Sequence, residues 1–203
     1  LGMSSERSSL LLPRTLQIFK MEFPDFKIQL KEGHLPALQQ MVLDRRVDLA
    51  FTVAPEVQDS SHPFRFHPVY EEELALVVHP GHRFVKKGLK QVNLSELSGE
   101  SFVHHNKEKI IRHVLDGVFQ DIGCHPKETM EVNSTRSAIE FAANGIGVTI
   151  VPKMFTLSYP SIRIIPTKPQ LKWELGMLYQ GDRDLSSPEK RIIESFSKTV
   201  EEK

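Results

Sequence analysis

Cysteine is nearly missing: of 203 residues only Cys124 carries a thiol. That excludes an intramolecular disulfide framework and fits a reducing, cytoplasmic compartment. Long apolar runs are missing as well. No stretch approaches the roughly 20 residues that cross a bilayer, so no membrane association is expected. The opening apolar residues Leu1-Gly2-Met3 give way at once to Ser, Glu and Arg, which is not a secretory signal pattern. An excess of charge of one sign is absent too, with 26 Lys plus Arg against 26 Asp plus Glu. A segment that gripped nucleic acid by itself would need a basic surface, so DNA contact is not expected of this segment. There is no low-complexity tract and no alignable internal repeat. Nor is there a methionine at position 1; Leu1–Met3 reads as the inside of a strand, and an upstream portion is expected.

What is present is an ordinary globular composition, 39% apolar and 26% charged. Leu12, Leu16, Phe19 and Phe23 are spaced 4, 3 and 4 apart and predict one face of a helix, with Ser4 or Ser5 capping its start. Phe26–Leu30 alternates like a strand, Pro36 suits the first turn of a second helix, and Leu49–Val53 reads as a buried strand. Strand alternating with helix is the pattern of a parallel sheet with covering helices. Pro55 to Pro63 reads as a loop, and Phe64–Tyr70 and Glu73–Val78 as two strands ending at the turn His79–His82. Ser101–His105 predicts a strand, followed by a helix with Ile111, Val114, Val118 and Ile122 inward and Gly123 as its stop. Thr129–Val132 predicts the next strand, and Asn133-Ser134-Thr135 the cap of a helix ended by Gly145. Val148–Pro152, Ser161–Pro166 and Trp173–Tyr179 complete the strands. Ser186 with Glu189 forms a capping box before a final helix with Ile193, Phe196 and Val200 inward.

The candidate functional residues stand at junctions from strand to helix. Ser4 and Ser5 open one helix, Asn133 and Ser134 another, and His34 and His104-His105 occupy similar places. A helix start offers free N–H groups and a positive dipole end, which suits a small anion. Ligands in open α/β sheets sit beyond the carboxyl ends of the strands. The competing chemistries are weaker. Nine histidines lack the spacing of a closed metal site, so no metal or cofactor is expected. Cys124-His125 are sequence neighbours, which seldom form a nucleophile–base pair, and the thiol reads as a small core group. Gly145-Ile146-Gly147 lacks the third glycine of a dinucleotide fingerprint. No convergent catalytic set is found, and the chain is not expected to be an enzyme.

Three segments in this order resemble the effector-binding domain of LysR-type transcriptional regulators: Leu12-Pro13 with its helix to Phe23-Pro24, Val47-Asp48-Leu49-Ala50-Phe51, and Ala143-Asn144-Gly145-Ile146-Gly147-Val148-Thr149-Ile150-Val151-Pro152. The resemblance runs nearly end to end. It implies an α/β fold of two Rossmann-like lobes, type II periplasmic-binding-protein-like, joined by two crossover strands near Glu73–Val78 and Leu171–Leu178. Lobe I would comprise residues 1–75 plus 176–203, and lobe II residues 76–175. It further implies that a small polar metabolite, an organic acid or other anion, binds in the interlobe cleft on Ser4, Ser5, His34, His104, Asn133 and Ser134. Two of these positions are Ser or Thr in many members, and His34 and His104 depart from that. A homodimer or tetramer is implied, with DNA bound only through an N-terminal winged helix-turn-helix outside this sequence. A solute-binding protein feeding a transporter is the alternative on the same fold.

Overall fold

A computed structural model describes residues 1–55 and 63–202. It divides into two compact units, Leu1–Glu71 with Trp173–Lys203, and Glu72–Lys172. Most of the expected Pro55–Pro63 loop lies outside the described residues.

The first unit opens with β1 (Gly2–Met3), α1 (Ser5–Lys20), β2 (Lys31–Glu32), α2 (Leu35–Leu43) and β3 (Ala50–Val53). β1 pairs in parallel with both β2 and β3. The expected strand at Phe26–Leu30 does not form. Because β1 is two residues long, it offers a ladder only to Lys31 and Glu32; Phe26 instead sets its ring against Phe19 at 5.6 Å. The buried face of α1 is also rotated from expectation, to Leu11, Leu12, Thr15, Ile18 and Phe19. Thr15 can lie there because its hydroxyl donates to the Leu11 carbonyl and meets Thr199 Oγ1 at 3.1 Å, which satisfies a polar group in an apolar layer.

β4 (Phe64–Val78) is one continuous strand of 15 residues where two were expected. The acidic run Glu71-Glu72-Glu73 does not interrupt it: alternate side chains of a strand leave on opposite faces, so three acids in a row need not share one. β4 carries the chain into the second unit. There follow α3 (Arg83–Lys86), β5 (Val92–Asn93), a 3-10 turn at Leu94–Leu97, β6 (Ser101–His105), α4 (Ile110–Asp121), β7 (Lys127–Val132), α5 (Thr135–Ala143), β8 (Thr149–Pro152), β9 (Arg163–Ile165) and β10 (Thr167–Lys168). β11 (Lys172–Gln180) returns the chain to the first unit, which ends in α6 (Ser187–Glu201).

In the first unit the strand order is β2-β1-β3-β11-β4, and β11 runs antiparallel to β3, with Leu175 opposite Val53 and Leu178 opposite Ala50. Gly176 of β11 lies so close to β4 that an added Cβ would stand 2.1 Å from the His67 carbonyl oxygen. α1 and α6 pack against each other, and Phe196 of α6 stacks on Phe51 at 4.7 Å. On α2, Leu38 and Val42 cluster with Val47, Ala50 and Leu178. The start of α6 follows the expected box: Glu189 accepts from the Ser186 backbone N–H at 2.8 Å and also holds Arg183.

In the second unit β4 pairs antiparallel with β8 and β9, and β6 pairs in parallel with β7. Phe102 of β6 also bridges in parallel to Val148. One core cluster joins Val77, Val103, Val132, Ala138, Ile139, Ala142, Val151 and Ile162. The buried face of α4 is Ile111, Arg112, Leu115 and Phe119, whereas Ile122, expected inward, is 37% exposed. Phe119 meets Phe102 edge to face at 5.6 Å. Arg112 can join this face because Asp116, Glu128 and Glu131 all pair with it.

Candidate functional site

In the first unit β1 and β2 end together, with Met3 paired to Glu32, so the helices that follow begin at one edge. Ser4 is the N-cap of α1, extended at φ −74° and ψ 147°, and its Oγ accepts from the Arg7 backbone N–H at 3.4 Å. Ser5 is the first helical residue and is exposed. His34 is the N-cap of α2, exposed, with no side-chain capping bond. The register of the two strands therefore brings Ser4, Ser5 and His34 to the same end of this sheet. Two neighbours fill the junction. Ser8 bonds Glu32 Oε1 at 2.5 Å. Arg7, buried, donates to the Tyr70 hydroxyl at 3.1 Å and sets its guanidinium 5.6 Å from the Trp173 ring centroid. Sequence reasoning missed Arg7. The available signal was its place four residues before Leu11, on the stripe that α1 buries.

The second unit repeats the plan. β6 and β7 end together, with His105 paired to Val132. The Asn106 backbone N–H donates to the Val132 carbonyl at 2.9 Å, and Asn106 Nδ2 donates to Asn133 Oδ1 at 2.6 Å. Ser134, the residue that caps α5, accepts from the Ser137 N–H at 3.1 Å. Asn133 is exposed. Asn133 and Ser134 thus share one strand end, and Asn106, which sequence reasoning missed, completes it. Asn106 directly follows the predicted strand Ser101–His105, just as Asn133 follows β7.

His104 sits one residue further in and is buried. Its ring lies 4.4 Å from that of Phe102 and 6.5 Å from that of Phe119, between β6 and α4. Burial lowers its pKa, the nearby Arg112 charge lowers it further, and Glu128 and Asp116 act in the opposite sense. His105 is 2% exposed; burial takes its pKa from near 6.5 to about 4, with Lys109 and His104 adding to the effect. Both imidazoles are therefore neutral at neutral pH. A neutral ring offers one N–H and one lone pair and no charge. His104 Nδ1, His105 Nε2 and Asn106 Oδ1 are buried without a hydrogen-bond partner among the described residues.

Hydroxyls and amides at helix starts, with neutral imidazoles at the end of a strand, can orient a small polar molecule by hydrogen bonds. Cys124 is buried and donates to the Leu94 carbonyl at 3.2 Å, and burial pushes its thiol pKa up, the opposite of an activated nucleophile. Among the described residues no cluster of three or more His, Cys, Asp or Glu could hold a metal, and no helix is long and apolar enough to cross a membrane.

A family profile described as "LysR substrate binding domain" matches residues 1–200. The chain is 26% identical over 189 residues to an HTH-type transcriptional regulator of Bacillus subtilis, YwbI, covering 92% of this chain and 61% of that protein. It is 25% identical to the transcriptional dual regulator GltC of the same organism, covering 98% of this chain and 67% of that one. It therefore spans about three fifths to two thirds of these relatives. Among solved structures, the effector-binding domain of QuiR in complex with shikimate superposes with a TM-score of 0.82 at 17% identity, covering 99% of this chain and 95% of that one. That of a BenM variant gives 0.82 at 22% identity, covering 99% and 93%. These neighbours have the type II periplasmic-binding-protein-like fold, and the chain, matched across residues 1–200, belongs to the LysR substrate-binding domain family.

Proposed function

We propose that this chain is the ligand-sensing and oligomerising part of a cytoplasmic LysR-type transcription regulator, not an enzyme. Its effector is a small organic acid or related polar metabolite. The contacts proposed are Ser4, Ser5 and His34 on the first unit and His104, Asn133 and Ser134 on the second, with Arg7 and Asn106 added. Since Ser4 and Ser134 spend their hydroxyls capping the Arg7 and Ser137 amides, their share is to fix the first turns of α1 and α5, leaving the earlier amides of each turn for the ligand. Arg7 is the fixed positive charge of the first junction, a role the neutral imidazoles cannot fill. Effector binding would act on DNA through a separate domain and through a homodimer or tetramer of this one, and only by favouring one arrangement of the protein over another.

The observation that carries this reading is that both strand pairs end beside a helix start furnished with neutral hydrogen-bonding side chains, in a chain whose relatives are transcription regulators. Calorimetric titration with a panel of organic acids tests it. Wild type binds at least one, Asn133→Ala weakens it, and light scattering finds a dimer or larger. Failure of every acid to bind would end the reading, and equal affinity in Asn133→Ala would remove Asn133 from the site.

A further inference from the structure

β1 is the middle strand of a parallel trio, and its ladder stops while the chains on either side run on. Gly2 stands opposite both Lys31 and Ala50. The Leu1 backbone nitrogen donates to the Gln29 carbonyl at 2.9 Å, and the Gly2 N–H to the Leu49 carbonyl at 2.7 Å. In an extended chain a residue turns its N–H and its C=O to the same side. Gln29 and Leu49 therefore aim their N–H groups to the side of β1 as well, and among the described residues no backbone carbonyl accepts from either. Leu49 is 3% exposed, and buried backbone N–H groups are nearly always paired. A cavity of about 480 Å³ opens here, lined by Leu1, residues 27–29 and residues 46–49, with Phe19 of α1 and Ile192 of α6.

A strand continuing β1 toward its amino end meets this pattern residue by residue. The first residue upstream of Leu1 would fall opposite Asp48, donate to the Val47 carbonyl and accept from the Leu49 N–H. The second would fall opposite Ile28, donate to the Lys27 carbonyl and accept from the Gln29 N–H. A small molecule offers no such succession of acceptors at strand spacing. We propose that this slot seats the backbone preceding Leu1 in the full-length regulator, which enters as an extension of β1 by strand addition. Residues 26–30 then gain the ladder that their alternating sequence suits. The second upstream side chain leaves on the face of Leu1 and the fully buried Met3, so an apolar residue belongs there. The strand that leads into Ser4 at one end is thus, at the other, the tether of the DNA-binding part. This rests on the reading above that DNA is bound through a separate domain, and it places that domain before Leu1.

Hydrogen exchange read by NMR tests it, comparing this chain with one lengthened upstream by the residues its own gene encodes there. Lengthening should slow exchange of the Gln29 and Leu49 amides tenfold or more, while the Val103 and His104 amides of β6 keep their rates. A proline placed immediately before Leu1, which a central strand does not tolerate, should undo the slowing. Unchanged Gln29 and Leu49 rates on lengthening, or slowing that survives the proline, would overturn the inference. Protection that appears only on adding benzoate would give the slot to a small molecule and overturn it as well. Should the proline chain fail to fold, the lengthened chain without it decides. A close contact between the Gln29 amide proton and the α-proton of the second upstream residue supports the added strand, and its absence overturns it. Failure here leaves the organic-acid reading standing, and failure of every acid to bind leaves this inference standing.

Discussion

The two units solve one geometric problem with opposite materials. In each, two parallel strands stop together and a helix begins at the edge. In the first, the groups at that edge are exposed or already engaged: Ser4 caps, Ser8 holds Glu32, and Arg7 holds the Tyr70 hydroxyl. In the second, Asn133 is exposed and Ser134 caps, but His104 Nδ1, His105 Nε2 and Asn106 Oδ1 are buried without a partner among the described residues. A satisfied junction adds rigidity and charge. An unsatisfied one is less stable by itself, and what completes it gains a correspondingly larger differential affinity. The difference teaches that equivalent places in a repeated plan need not carry equal shares of recognition.

Acid gives the largest expected contrast. His105 is held neutral in the fold down to about pH 4, while an unfolded histidine takes up a proton near 6.5. Its stabilising contribution is complete above pH 6.5 and is lost as the pH falls toward 4, about 3 kcal/mol in all. In the first unit, burial pushes the Glu189 carboxyl up, but Arg183 and the backbone and side chain of Ser186 outweigh it, leaving a pKa of about 2 against the ordinary 4.5. That contribution is complete above pH 4.5 and is lost between 4.5 and 2, again about 3 kcal/mol. Peptide-resolved hydrogen exchange, stepped from pH 7 to 3, should show the second unit loosening before the first. His105→Gln removes the upper step and Glu189→Gln the lower. Loss of both units in one pH window would break the contrast.

A smaller effect separates the junctions by ligand. Asn133→Ala removes the partner of Asn106 Nδ2 and should weaken the bound acid about tenfold, or about 1.4 kcal/mol. His34→Ala, whose imidazole makes no capping bond, should weaken it less, both read by calorimetric titration. A larger loss at His34 would shift the weight of recognition to the first unit. The smallest contrast is in the caps. Ser134→Ala should cost about 1 kcal/mol in urea denaturation, and Ser4→Ala, whose bond to the Arg7 N–H is long at 3.4 Å, nearer 0.5 kcal/mol. Equal losses would mean that the distance does not reflect the strength of the cap.

Much of the architecture was legible because local chemistry marks it. Ser186 with Glu189, Ser134 before α5, and Gly145 at φ +75° behind it are punctuation that acts within a few residues. The failures came where a distant partner decides. Thr15 enters the core because Thr199, 184 residues away, answers its hydroxyl. Arg112 enters because three acids surround it, two of them on β7. An apolar count passes over both, which is why the buried faces of α1 and α4 were misjudged. Phe26–Leu30 shows the converse: alternation alone makes no strand where the neighbour has run out of ladder. For the candidate site, residues at helix starts could be found from the sequence. Arg7 and Asn106 could not be ranked, because what distinguishes them is what they touch.

Gly176 carries one more consequence. With no room for even a methyl group between it and the His67 carbonyl, the main chains of β11 and β4 meet there directly. Side chains absorb small displacements by changing rotamer, but a contact of bare backbone has no such slack. A shift of a few tenths of an ångström in one strand is handed to the other almost undiminished. Alanine at 176 would act as a wedge, forcing the strands apart at a point where neither has any way to yield.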